Sequence, residues 1–325
     1  MTAARRRWLR VVALLALATL LLAFGRGVDW RAAAEATRTA DLGLLVLALV
    51  ANQISLVLKA VRWWVFLRPL GIRSLMLVVR ATFAGASLNN LVVAQGGEGA
   101  RVLLVSRATA VSSARVAAAL ALERVLDAVS YLVLLVSAAW MLNLPDALLR
   151  WRVAASIALG VVVVALLLLS VAHRRDAPPD APRGRVRSYV QRFASSAHDL
   201  ATPARLAVAM LLSLGAWALQ VVTYHVVALA AHLPISLTGT IAALLAIGIS
   251  FLIRATPGNV GVFQLIYAMT VRGFGIAEGP AVAAALLIQT IQVLPTIALG
   301  TLMSGGLLGL GKNDEERLAK LSRPR

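Results

Sequence analysis

Asn89-Asn90-Leu91-Val92-Val93-Ala94-Gln95-Gly96-Gly97-Glu98-Gly99-Ala100-Arg101, followed two dozen residues later by Glu123-Arg124-Val125-Leu126-Asp127, interrupts a chain that is otherwise mostly Leu, Val, Ala and Ile. An ionisable group inside a bilayer costs roughly 3 kcal/mol on insertion scales. Charges kept in such surroundings therefore hold an ion, a polar headgroup or one another. Glycines beside them predict a break in a membrane helix, tolerated at depth only where protein or a watery cavity satisfies the freed backbone groups. The fold turns on whether this stretch is a loop between two crossings or the tip of a hairpin that returns to its own side.

The surroundings answer the first part. Of 325 residues, 60% are hydrophobic, and the mean hydropathy is +0.84, which reads as an integral membrane protein. Apolar stretches run over 11–24, 42–58, 75–94, 116–142, 153–172, 206–233, 237–253 and 281–310, with a further one over 260–271. None alternates with period two, so helices are expected and barrel strands are not. The first stretch, after Arg5-Arg6-Arg7-Trp8-Leu9-Arg10, has the outline of a signal peptide but reads better as an uncleaved span, because more spans follow.

Charge then sets parity. Basic groups at the amino terminus, Lys59 to Arg80, Arg101 to Arg115, His173 to Arg205 and Lys312 to Arg325 carry 24 of the 32 Lys and Arg, and all are expected on the cytoplasmic side. Eight simple crossings would put the arginine-rich loop 173–205 outside. The pattern closes if 75–107 enters from the cytoplasm and returns to it, and 237–278 enters from outside and returns there. The expectation is an all-α polytopic protein with six full crossings, two opposed re-entrant or broken hairpins and both termini in the cytoplasm. Residues 1–311 form one membrane domain, with 173–205 a basic cytoplasmic loop and 312–325 a short cytoplasmic tail.

The hairpin tips are expected at Gln95 to Gly99 and at Arg254-Ala255-Thr256-Pro257-Gly258-Asn259-Val260-Gly261. Opposed broken helices meeting near the midplane are a usual form of translocation site. Glu123 and Asp127, four apart, share a helix face, and Arg124 pairs with Asp127 at three. The trio reads equally as a lipid-binding site or as an ion-pair cluster that pins helices. Arg101 can fork onto a phosphate, and the first tip lacks the ending of a nucleotide phosphate loop. Arg254 is either a site residue or a snorkelling interfacial arginine, with Pro257, Asn259 and Gln264 beside it. Lys59 and Arg62-Trp63-Trp64 read as an interfacial anchor closing the second span. Gly305 and Gly309 suit close helix packing.

Cysteine is absent, which excludes a disulfide framework and a thiol nucleophile. The four histidines show no metal spacing, and His225 and His232 are placed on one helix face. No metal, cofactor or catalytic group is expected. The net charge of +18 flanks apolar segments and interleaves with no aromatic stripe, which argues against a nucleic-acid partner.

Four pieces in order resemble the lysylphosphatidylglycerol synthase transmembrane family, also called the flippase-like domain family: Lys59-Ala60-Val61-Arg62-Trp63; Asn90 through Gly97-Glu98 to Arg101; Glu123-Arg124 with Asp127; and Pro257 to Gln264. The resemblance covers nearly the whole chain. It implies a multi-pass protein of the bacterial or archaeal inner membrane that moves polar lipids across the bilayer. Two departures stand out: Ala94-Gln95 precedes Gly96 where the family commonly has a proline, and Gln264 stands where glutamate is frequent. Only 14 residues follow Gly311, so the fused aminoacyl-transferase domain of the best understood members is not expected, and neither is its enzyme activity. The expected function is binding and translocation of a polar lipid with a phosphate headgroup in a cavity between the tips. Asn90, Glu98, Arg101, Glu123, Arg124, Asp127, Arg254, Pro257, Asn259 and Gln264 would bind it. Arg101, Arg124 and Arg254 would take the phosphate, and the carboxylates a cationic or hydroxyl-rich group. Alternatives are a non-transporting partner of a lipid-modifying enzyme and a polyprenyl-phosphate-dependent glycosyltransferase using Asp29, Glu35 or Asp41.

Overall fold

In the computed structural model, residues 28–91, 96–141, 199–250 and 259–321 are described, together with Arg26 and scattered helical positions between 153 and 164; side chains at 249–250 and 305–321 lie outside the description. The spans expected at 11–24 and most of 153–172, the basic loop up to 198, and Arg254 and Pro257 fall outside it. Every element among the described residues is helical: α1 Trp30–Arg38, α2 Leu42–Leu67, α3 Leu75–Leu91, α4 Gly96–Thr109, α5 Ser113–Met141, α6 Pro203–Ala230, α7 Leu237–Ser250, α8 Val262–Arg272 and α9 Glu278–Leu321.

Three segments are long and apolar enough to cross a membrane among the described residues: Leu42–Leu70, Pro203–Ala230 and Glu278–Ser304. At 1.5 Å per residue each reaches about 40 Å, beyond the ~30 Å hydrocarbon layer. Their exposed faces are what lipid wants. On α2, Leu42, Val46, Val50, Ile54 and Val57 are all exposed at helical spacing, a stripe for acyl chains. The opposite side is polar or small: Ala48, Ala51, Asn52, Ser55 and Arg62 are buried. Polar residues turn inward because hydrocarbon offers them no partner.

Two pairs of short helices stand where the sequence predicts broken hairpins. The helices α7 and α8, of 14 and 11 residues, pack against each other, and neither reaches across the hydrocarbon layer alone. In the other pair, α3 is described to Leu91 and α4 from Gly96. Here the expected tip is corrected: Gly96 to Gly99 lie inside the first turn of α4. Asn89 from α3 caps that turn, its Oδ1 accepting the Gly97 N–H at 2.9 Å. Gly97 is needed for close approach, since a Cβ there would collide with the Gly85 carbonyl oxygen.

Other differences have local causes. Residues 30–38, between the first two expected spans, form α1, capped by Asp29, whose Oδ1 accepts the Arg31 and Ala32 N–H groups at 3.0 and 3.1 Å. His232 does not share a helix with His225. The helix α6 ends at Ala230, and His232 sits in the left-handed region at φ 55°, with its Nε2 3.0 Å from the Thr39 carbonyl oxygen. The helix α9 runs on to Leu321 through Pro295.

The chain divides into two compact units: Met1–Asn52 with Asn90–Ala94 and Gln220–Leu294, and Gln53–Asn89 with Gln95–Leu219 and Pro295–Arg325. One division point falls near the end of α3, and three others fall inside α2, α6 and α9. In the first unit, amides link these three helices. Gln220 Nε2 donates to Asn52 Oδ1 at 3.1 Å, and Gln292 Nε2 donates to Gln220 Oε1 at 2.8 Å. The second unit holds the apolar cluster around Trp63, Phe66, Leu67, Val78, Leu126 and Leu200, and beside it the charges.

Candidate functional site

Arg62 is the centre of the charged cluster. Its place on α2, three residues beyond Lys59 and seven beyond Ser55, puts it on the inward polar stripe. Glu123 and Asp127, one turn apart on α5, meet it together. Arg62 Nη2 lies 3.0 Å from Glu123 Oε1 and Nη1 lies 2.6 Å from Asp127 Oδ1. Nη1 also donates to Ser213 Oγ of α6 at 2.8 Å, and that hydroxyl in turn donates to the Ala209 carbonyl oxygen at 2.8 Å. The planar guanidinium fork suits this three-way junction as an ammonium group would not. The Arg62 side chain is 0% exposed and that of Glu123 is 2% exposed, so the ions are held by one another and not by water.

Arg101 of α4 closes the other side of Glu123. Its Nη2 donates to Glu123 Oε2 at 2.9 Å and its Nη1 to Oε1 at 3.3 Å. Nη2 also donates to the Thr82 hydroxyl of α3 at 3.3 Å. The guanidinium carbon stands 4.2 Å from the centroid of the Trp63 ring, a cation–π contact that is strong where water is excluded. Gly85 makes room, because a Cβ there would collide with the Arg101 stem. The Gly-rich segment thus brings a buried arginine between two helices.

Arg124 forms the open edge. Its Nε is 3.3 Å from Glu98 Oε1, its Nη1 3.3 Å from Asp127 Oδ2 and its Nη2 3.6 Å from Glu123 Oε1. The contacts are longer than those of Arg62, and the side chain is 45% exposed, against 27% for Glu98 and 21% for Asp127. Three arginines and three carboxylates cancel. Lys59, half-buried, adds a positive charge with no carboxylate within ion-pair distance among the described residues; its Nζ lies 5.9 Å from the Trp217 ring centroid. Trp217 in turn packs on Tyr131 with centroids 5.6 Å apart. No group of acidic, His or Cys side chains among the described residues is arranged to hold a metal ion.

The sequence that builds this cluster matches a known family. The family model of the lysylphosphatidylglycerol synthase TM region covers residues 10–300. The chain belongs to this family. The matched region is a membrane domain of the flippase-like type, distinct from the family's catalytic part. A Pyrococcus horikoshii protein, UPF0104 membrane protein PH1989, is similar, at 24% identity over 292 residues, covering 81% of this chain and 87% of the relative. The protein is therefore a multi-pass membrane member of the family.

In this family member the structure brings Glu98, Arg101, Glu123, Arg124 and Asp127 into one cluster. It adds Lys59, Arg62, Thr82 and Ser213, which sequence reasoning left out. The anchor reading of Arg62-Trp63-Trp64 is corrected, since Arg62 and Trp63 are fully buried. The available signal was the apolar run Val65-Phe66-Leu67 beyond them, which carries α2 past its expected end at 58. Asn90, half-buried at the end of α3, and Asn259 and Gln264 belong to the first unit. Asn259 is buried with φ 61°. Gln264 accepts the Gly261 N–H at 2.7 Å and donates to Gln289 Oε1 at 2.5 Å, which caps α8 and ties it to α9.

Proposed function

We propose that this protein binds a membrane lipid with a phosphate-bearing polar headgroup at the open edge formed by Glu98, Arg124 and Asp127, with Lys59 nearby, and carries the headgroup across the bilayer. The observation that carries the reading is the gradient within one cluster. Arg62 and Arg101 are buried and closely paired, Arg62 with Glu123 and Asp127 and Arg101 with Glu123. Arg124 is half exposed and holds three carboxylates at longer distances. A phosphate oxygen can displace Glu98 from Arg124 at small cost, because an exposed pair contributes little and arginine takes phosphate in a fork. The released Glu98 carboxylate then accepts a hydroxyl or ammonium hydrogen of the same headgroup. Reversal of the exchange releases the lipid. The surplus charge of Lys59 favours an anionic group at this edge, and the acyl chains stay in the bilayer against the apolar helix faces.

The inward Arg62 and Arg101 then serve as positioning residues that aim Glu123 and Asp127. We place the protein in the cytoplasmic membrane with both termini inside, on the basic residues that remain in loops once Arg62 and Arg101 are taken out of that count. The burial of Arg62 against two carboxylates and Ser213 favours a second reading, a membrane partner of a lipid-modifying enzyme in which the cluster only holds α2, α4, α5 and α6 together.

Purified protein in vesicles carrying fluorescent phospholipids separates the two. Transfer between leaflets is expected with the wild type and is lost with Arg124→Gln while the variant keeps its thermal unfolding profile. Wild-type protein that moves no polar lipid, or Arg124→Gln that moves it at the wild-type rate, overturns the transport reading.

A further inference from the structure

A second basic site lies where α2 ends and α6 begins. A cavity of about 780 Å³ is lined by Trp64, Val65, Arg68, Pro69, Arg73, Ala204, Arg205 and Val208. That volume is within the ~300–1,000 Å³ of small-molecule sites, far larger than inorganic phosphate requires. None of its three arginines has a carboxylate within ion-pair distance among the described residues. Each is held in place by other means. The Arg68 guanidinium stands over the Trp64 ring at 5.4 Å. Gly71, at φ 90°, lets the chain turn back so that the Arg73 carbonyl accepts the Trp64 indole N–H at 3.2 Å. Arg205 Nη1 donates to the Asp199 carbonyl at 3.0 Å. This fixes an array of positive charge without neutralising it, at the first turn of α6, the positive end of its backbone dipole.

The depth of the cavity follows from the same helices. Leu42–Leu70 and Pro203–Ala230 are both of membrane length, so the end of one beside the start of the other falls at the headgroup layer. Tryptophan is at home there. One wall is cationic, while Val65, Pro69 and Val208 offer apolar contact to the start of an acyl chain. We infer that this groove holds the phosphate headgroup of an anionic phospholipid, in a site separate from the charge cluster at Arg124. Basic pockets between membrane helices take such headgroups in general. The inference stands whether or not the protein moves lipid, since it concerns other residues.

The test is native mass spectrometry of detergent-purified protein titrated with phosphatidylglycerol and, in parallel, with phosphatidylcholine of the same chains. Preferential retention of phosphatidylglycerol is expected, reduced about tenfold by the triple variant Arg68→Gln, Arg73→Gln, Arg205→Gln. Val208→Trp, which fills the groove and leaves every charge, is expected to reduce it likewise. Arg272→Gln, which removes an exposed positive charge outside both sites, is expected to leave it unchanged. Undiminished phosphatidylglycerol retention in both the triple variant and Val208→Trp overturns the site. So does an equal loss of retention in Arg272→Gln, which would make the effect one of general charge. Displacement of the lipid by inorganic phosphate at equal concentration would make it a site for free phosphate and overturn the lipid assignment.

Discussion

The two units treat buried polarity in opposite ways. In the first, Asn52, Gln220 and Gln292 join α2, α6 and α9 through neutral amides, and Gln264 with Gln289 does the same between α8 and α9. In the second, α2, α4, α5 and α6 meet through Arg62, Arg101, Glu123 and Asp127, all charged. An amide supplies both donor and acceptor, so a chain of them closes on itself with no net field. An arginine supplies donors alone and needs carboxylates to match. A structure that only needed its helices held in register could use amides in both places. Charges carry a larger desolvation cost, and what they add is a strong field for an ionic ligand. The contrast supports the proposal that the lipid is bound in the second unit.

The contrast can be broken at its strongest point. Arg62→Leu leaves Glu123 and Asp127 short of a counter-charge in a buried setting, and a loss of about 3–5 kcal/mol is expected, read as a collapse of the thermal unfolding midpoint in detergent. A variant that unfolds like wild type would show that the cluster is not the core of its unit. Next is Gly97→Ala. Its Cβ meets the Gly85 carbonyl, so α4 must move from α3, with an expected cost of about 1–3 kcal/mol and a weaker grip of Arg101 on Glu123. Gln220→Leu in the neutral ladder is expected to cost about 1 kcal/mol, the ordinary scale for a hydrogen bond between membrane helices. If Gln220→Leu proves as damaging as Arg62→Leu, the two units do not differ in the way proposed.

Much of this was legible in the sequence, for a physical reason. In a bilayer an apolar run must be helical, so long Leu, Val and Ala stretches announce α2, α3, α5, α6, α7 and α9 directly. Charges stranded in such runs announce Arg101, Glu123, Arg124 and Asp127. Residues whose role depends on distant partners were not legible. Hydropathy counts Lys59 and Arg62 as the end of a span. Glu123 and Asp127, more than sixty residues on, cancel that cost, and α2 continues to Leu67. Trp63 and Trp64 beside Arg62 imitate an interfacial belt, yet Trp63 is buried under Arg101. Glycines beside a charge read as a turn, while Gly85 and Gly97 serve a helix contact that only the fold creates. The amide ladder gave no sign, because Asn and Gln are common and nothing local pairs Asn52 with Gln220.

The finest test lies within the charged cluster. Arg62→Leu and Arg124→Gln each remove one positive charge and leave the same formal imbalance. If net charge alone mattered, both would destabilise alike. The geometry says otherwise. Arg62 has no water to replace its partners, whereas Arg124 is 45% exposed and its carboxylates can turn to solvent. Arg124→Gln is therefore expected to cost at most about 1 kcal/mol, the scale of an exposed pair, and that cost should shrink further in high salt. Lipid transfer should nevertheless fall strongly, because glutamine has no charge to hold a phosphate. Equal thermal losses for the two variants would mean that the edge is as buried in the membrane as the core. Arg124 would then be one more structural ion, and the lipid would have to be sought elsewhere.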